Sequence, residues 1–93
     1  MKPRLGQKVY CIYNDDCILV EKVGFIGKDS FIIETFTDMV SFDSLEWFYE
    51  DYNDLWFTDL SKAKKRLREI YYETYKTKAK KITNRGDWYE VEE

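Results

Sequence analysis

The sequence predicts an α+β fold: a small antiparallel β-barrel, SH3-like and partly open, or a meander sheet, followed by one amphipathic C-terminal helix. Three observations predict it. Short β-branched and aromatic runs recur at roughly ten-residue spacings between polar turns in the first half. A single stripe of apolar residues at helical spacing follows them. The chain has 93 residues, 44% of them hydrophobic and 18% aromatic, which suits one domain with its own core.

The elements follow in order. Residues 8–13, Lys-Val-Tyr-Cys-Ile-Tyr, read as a strand. Asn14-Asp15-Asp16 is a turn cluster, and 17–27 resumes the strand pattern. A three-residue loop at 14–16 pairs Tyr13 with Cys17 and Ile12 with Ile18. Tyr10, Ile12, Ile18 and Val20 then share one face. The period breaks near Glu21-Lys22, and Gly24 marks a bulge or sharp bend. A long bent strand of this kind lets a small barrel serve two sheets. Residues 31–36 form a third strand after a turn at 27–30, and Met39–Phe42 a short fourth one. A strand over 45–49, a turn over 50–54 and a short strand over 55–58 fit the next stretch, with a single helical turn near 50–53 as the alternative. Asp59 is the N-cap of the helix. Leu60, Ala63, Leu67, Ile70, Tyr71 and Tyr75 form its apolar stripe. The helix is predicted to run from 60 to about 78–81, with Ala79 and Ile82 extending the stripe and Asn84-Arg85-Gly86 as the stop. Trp88–Val91 is a last edge strand or a docking tail. The expected organisation is one domain, 1–93: a β-rich body over 1–58, a helix over 59–81 and a tail or edge strand over 82–93.

Charge is unevenly spread. Formal net charge is −3. Residues 1–59 carry five basic and twelve acidic side chains, a balance of −7. Residues 60–86 carry ten basic and two acidic, a balance of +8, and residues 87–93 carry −4. Such a pattern fits either internal complementarity or a basic surface for an anionic partner. No apolar run approaches the roughly 20 residues of a spanning helix, and no apolar stretch follows the basic N-terminus at signal-peptide distance. A cytoplasmic protein without membrane attachment is expected.

Most catalytic chemistry finds no residues here. There is no histidine, hence no dyad or triad built on one. Neither phosphate-binding glycine motif occurs, because Gly6, Gly24, Gly27 and Gly86 are scattered. Cys11 and Cys17 are too few for a disulfide framework or a zinc site. Asp51-Tyr52-Asn53-Asp54 lacks the glycine and terminal glutamate of a calcium loop. The carboxylate pairs Asp15/Asp16 and Glu50/Asp51 lie in turn sequences, where aspartate is common. The expectation is a non-enzyme without cofactor or metal.

Two binding surfaces remain. The stretch 47–57 holds Trp47, Phe48, Tyr49, Tyr52, Trp56 and Phe57, interleaved with Glu50, Asp51 and Asp54. Strand alternation sends about half of such rings outward, and exposed Trp and Tyr anchor protein interfaces. Trp47, Tyr49, Glu50, Asp51, Tyr52, Asp54 and Trp56 are therefore the candidate protein-binding residues, with Tyr52 the ring expected to be most exposed. The alternative is that the helix covers these rings. The second surface is the basic helix. Lys62, Lys65, Arg66, Lys76 and Lys80 could follow a phosphate backbone, with Tyr72 off the apolar stripe to stack on a base. Against it stand a pI near 5.0 and the absence of a recognition motif.

The order Lys8-Val9-Tyr10, Asp29-Ser30-Phe31-Ile32-Ile33-Glu34, Glu46-Trp47-Phe48-Tyr49-Glu50-Asp51-Tyr52 and Trp56-Phe57-Thr58-Asp59-Leu60-x-x-Ala63-Lys64 resembles small uncharacterised proteins of phages and prophages of low-GC Gram-positive bacteria. The resemblance covers residues 8–67 and carries no catalytic residue. It implies an accessory role, a short protein that binds and modulates a larger host or phage protein. The expected function is a non-catalytic protein-binding module, with a nucleic-acid-binding accessory protein as the alternative; self-association stays open.

Overall fold

The computed structural model describes residues 1–36 and 45–92. Its strands are β1 (Lys8–Tyr13), β2 (Cys17–Ile26), β3 (Ser30–Ile33), β4 (Glu46–Phe48) and β5 (Trp56–Phe57). The helix α1 (Leu60–Tyr75) follows, then β6 (Lys81–Asn84) and β7 (Trp88–Glu92). Short 3-10 turns occupy Glu34–Phe36 and Tyr49–Asp51. The predicted strand at Met39–Phe42 lies outside the described residues.

The register at the first hairpin is the one the turn chemistry predicts. Tyr13 pairs with Cys17 and Ile12 with Ile18. Asn14 and Asp15 hold left-handed φ values of 54° and 61°, a conformation that Asn and Asp tolerate better than most residues. The register then shifts between Val23 and Phe25, which places a bulge at Gly24. Beyond that bend β2 changes its neighbours. Its first half pairs with β1 and β7, and its second half with β3. Every strand pairing is antiparallel, in the order β4-β3-β2-β1-β5, with β7 branching from β2 and β6 pairing β7. The result is a curled antiparallel sheet, a half-barrel, with one helix laid across a face.

Two cores lie on opposite faces of this sheet. Val9, Cys11, Val23, Phe31, Ile33, Trp47 and Trp56 fill the inside of the curl. Ile12, Ile18, Phe57, Ala63, Leu67 and Ile70 form the second core beneath α1, with Ile82, Tyr89 and Val91 packed against it. β5 is only two residues long but joins both. Trp56, opposite Cys11, enters the first core, and Phe57, opposite Tyr10, enters the second. Of the predicted one-face stripe, Ile12 and Ile18 are buried beneath the helix, Tyr10 packs against them, and Val20 is half-buried.

Helix α1 begins where its cap dictates. The Asp59 carboxylate accepts from the Ser61 backbone N–H at 2.8 Å, satisfying one donor of the first turn. Asp59→Ala is expected to cost about 1 kcal/mol in urea denaturation, and Asp59→Asn much less. An unchanged midpoint for Asp59→Ala would remove the cap from the account of helix stability.

The C-terminal reading needs correction. The helix stops at Tyr75, three or more residues before the predicted end at 78–81. Lys76 turns into the left-handed region at φ 58°, and its N–H donates to the Tyr72 carbonyl. Residues predicted to prolong the helix instead form β6, whose Ile82 pairs with Val91. Asn84-Arg85-Gly86 is therefore the approach to a hairpin turn rather than a helix stop. Gly86, at φ 102°, occupies that turn, and the Arg85 N–H donates to the Trp88 carbonyl across it at 2.8 Å. Strand β7 is an interior strand between β2 and β6, neither an edge nor a tail. β3 is likewise shorter than predicted, and Glu34–Phe36 coil into a 3-10 turn.

Candidate functional site

The acidic aromatic stretch turns its largest rings inward. Trp56 is fully buried, edge-on to Phe31 at 4.9 Å between centroids. Its indole N–H donates to the Phe48 carbonyl at 2.8 Å. Trp47 is buried on the same side, and its N–H reaches the Ile12 carbonyl. Tyr52 is half-buried, tilted against Trp56, with its hydroxyl 3.0 Å from that of Thr58. The half-buried Tyr49 donates its hydroxyl proton to the Gly27 carbonyl at 2.6 Å. Trp47 and Trp56 are thus core residues and not interface anchors. Tyr52 is not the freely exposed ring that its turn sequence suggests. The physical reason is the curl: β3, β4 and β5 enclose one common interior, so alternation sends Phe48 outward while both tryptophans meet inside.

A smaller surface feature survives there. Asp15, Glu46, Phe48 and Asp51 are among the residues lining a hollow of about 340 Å³. Glu50 and Asp54 are exposed, but Asp54 is engaged, since the Arg66 guanidinium binds its carboxylate at 2.8 Å.

The predicted basic surface is laid out differently. Lys62, Lys65, Tyr72, Lys76 and Lys80 are all exposed. Arg66 is not available, because it also pairs with Glu69 and Glu73 at 3.4 and 3.8 Å. Arg85 is likewise taken by Glu90 and Glu92. Lys64 lies over the Tyr89 ring, 4.8 Å from its centroid. The internal complementarity suggested by the charge pattern therefore uses two arginines. Among the described residues, Lys62, Lys65, Arg68, Lys76, Lys78 and Lys80 form no ion pair.

Tyr72 is 52% exposed and stands in an open groove of about 490 Å³ lined by Arg68, Glu69, Tyr72, Glu73, Lys78 and Ala79. The early end of α1 creates this groove. The connection after Lys76 runs back beside the helix, bringing Lys78 and Ala79 to the ring. The sequence places Arg68 and Lys78 among the residues that could line a phosphate backbone and Ala79 on the helix stripe, but a helix continued to 78–81 gives no groove to join them. Trp88 is another partly exposed ring, bordering a smaller cleft with Leu19 and Ile33.

Both thiols are held toward their protonated form. Burial pushes Cys17 up to about 12, with help from the neighbouring Asp16, and burial also pushes the enclosed Cys11 well above the usual thiol range. Both are free cysteines in the sheet, acting there as small apolar side chains. Among the described residues no helix is long and apolar enough to cross a membrane.

Compared with family models, curated proteins and solved structures, the chain shows no match.

Proposed function

We propose that the protein is a non-catalytic binding module that engages an anionic partner through the outer face of α1 and the connection after it. The observation that carries this is the charge there: among the described residues the exposed Lys62, Lys65, Arg68, Lys76, Lys78 and Lys80 form no ion pair, and Arg68 and Lys78 line the groove of the exposed Tyr72. Exposed like charges repel one another and gain from a counter-charged partner. Residues 1–59 and 87–93 carry net charges of −7 and −4, a balance that favours this face for such a partner. The scaffold is a partly open barrel of the SH3-like kind, and the protein works in the cytoplasm. An accessory, phage-type role follows from the resemblance of residues 8–67.

Retention on heparin at low salt tests the reading. The protein should bind despite its net charge of −3, and a Lys62→Glu/Lys65→Glu/Lys78→Glu variant should flow through with an unchanged circular dichroism spectrum. A wild-type protein that does not bind, or a triple variant that binds as well, overturns the proposal.

A second reading is favoured by Phe48, which is 41% exposed beside Asp51 and Glu46. It keeps a protein partner at the acidic stretch, with one anchor ring instead of several.

A further inference from the structure

The proposed face carries more than charge. Tyr72 lies one turn after Arg68, the last basic residue of α1, and the groove around it joins the ring and Ala79 to two cations, Arg68 and Lys78, and two carboxylates, Glu69 and Glu73. A purely electrostatic surface needs no ring. An acidic peptide would satisfy Arg68 and Lys78 and leave the phenol face unused. A duplex would offer phosphates to the helix but keep its base faces stacked inside. A single-stranded nucleic acid uses both features, since every base has a face for stacking and every phosphate a charge for Lys or Arg.

We propose, resting on the reading above, that the partner is single-stranded nucleic acid, with one base stacked on Tyr72 and the flanking phosphates held by Arg68 and Lys78. The groove has a volume of about 490 Å³, within the range of ligand pockets. Lys65 is exposed on α1, and the exposed Lys76 and Lys80 stand two residues either side of Lys78 in the connection after the helix. They extend the cationic track beyond a single nucleotide. Glu69 and Glu73 also line the groove, but both carboxylates are drawn toward Arg66, which reduces their repulsion of a phosphate. The proposed binding rests on stacking and phosphate contacts, which do not depend on base identity.

The test is fluorescence anisotropy with a fluorescein-labelled oligo-dT and the full chain, repeated with a labelled duplex and with poly-glutamate as competitor. Affinity for oligo-dT should lie in the non-specific range, about 10⁻⁴–10⁻⁶ M, and fall steeply with salt. Tyr72→Ala should weaken oligo-dT binding about tenfold and leave any duplex binding unchanged, while Tyr72→Trp should restore it. Both variants alter an exposed side chain, and thermal melts confirm that they fold. Lys78→Glu should weaken binding to both nucleic acids. Equal oligo-dT affinity in Tyr72→Ala and the wild type overturns the stacking proposal. Binding of heparin or poly-glutamate without binding of oligo-dT overturns it too, yet leaves the anionic-partner reading standing. Loss of all three in the wild type overturns both.

Discussion

Trp56→Ala is expected to remove about 3–5 kcal/mol of stability, the range for deleting a buried aromatic side chain. Such a loss is a large part of the roughly 5–15 kcal/mol that holds a domain of this size together. Several losses combine in this one substitution. The ring is fully buried and packs on Phe31 and Tyr52 at centroid distances of 4.9 and 4.7 Å. It also satisfies the Phe48 carbonyl, which would lose its indole donor. Trp56→Phe separates these terms. It retains most of the volume but deletes the donor, and about 1–3 kcal/mol is expected from the unsatisfied carbonyl together with the smaller ring. Urea denaturation followed by far-ultraviolet circular dichroism measures both variants. A loss below about 1 kcal/mol for Trp56→Ala would contradict its place in the core. The same result would return the ring to the list of interface anchors.

Leu67→Ala should cost about 2–5 kcal/mol. Leu67 is fully buried in the cluster that joins α1 to Ile12, Ile18 and Phe57. Truncating it opens a cavity at the centre of the helix–sheet contact, where the rigid sheet beneath limits collapse. Lys65→Ala, on the exposed face two residues earlier, should stay within about 0.5 kcal/mol. The contrast tests docking rather than helix propensity, because alanine is the better helix former at both positions. Equal effects of the two substitutions would mean that α1 does not rest on the sheet. A selective Leu67 effect with unchanged oligo-dT affinity below the unfolding transition would further separate the inner face of α1 from its outer one.

The features legible in the sequence are those fixed by a few neighbouring residues. Asn14-Asp15-Asp16 supplies residues that accept a left-handed backbone, and this turn sets the register of the first hairpin. Gly24 coincides with a break in the alternation, and a bulge lies there. Asp59 precedes a stripe of period 3.6, and the helix starts at the next residue. Arg85-Gly86-Asp87 between Ile82-Thr83 and Trp88-Tyr89 carried a hairpin signal as well. It was masked by Ala79 and Ile82, which also fit the spacing of the helix. Lys76 ends that helix in a left-handed conformation for which lysine has no preference, so nothing local announces the stop.

The binding surfaces depend on relations that local pattern does not contain. Alternation places Trp47 and Phe48 on opposite faces of β4 but does not say which face meets the other strands. The bend in β2 decides this by curling β3 and β4 over β1 and β5, and both tryptophans fall inside. Likewise, Lys65 and Arg66 are adjacent and similarly charged, yet Arg66 is consumed by Asp54, which the loop after β4 brings alongside from twelve residues away. By itself the sequence determined the first hairpin, the bulge, the cap and the stripe of α1 from Ala63 to Tyr71, because backbone preference and hydrophobic period act over a few residues. Tertiary structure alone decided which rings are core, which arginines are paired and that a groove forms around Tyr72, because burial and ion pairing depend on which distant segments are brought into contact.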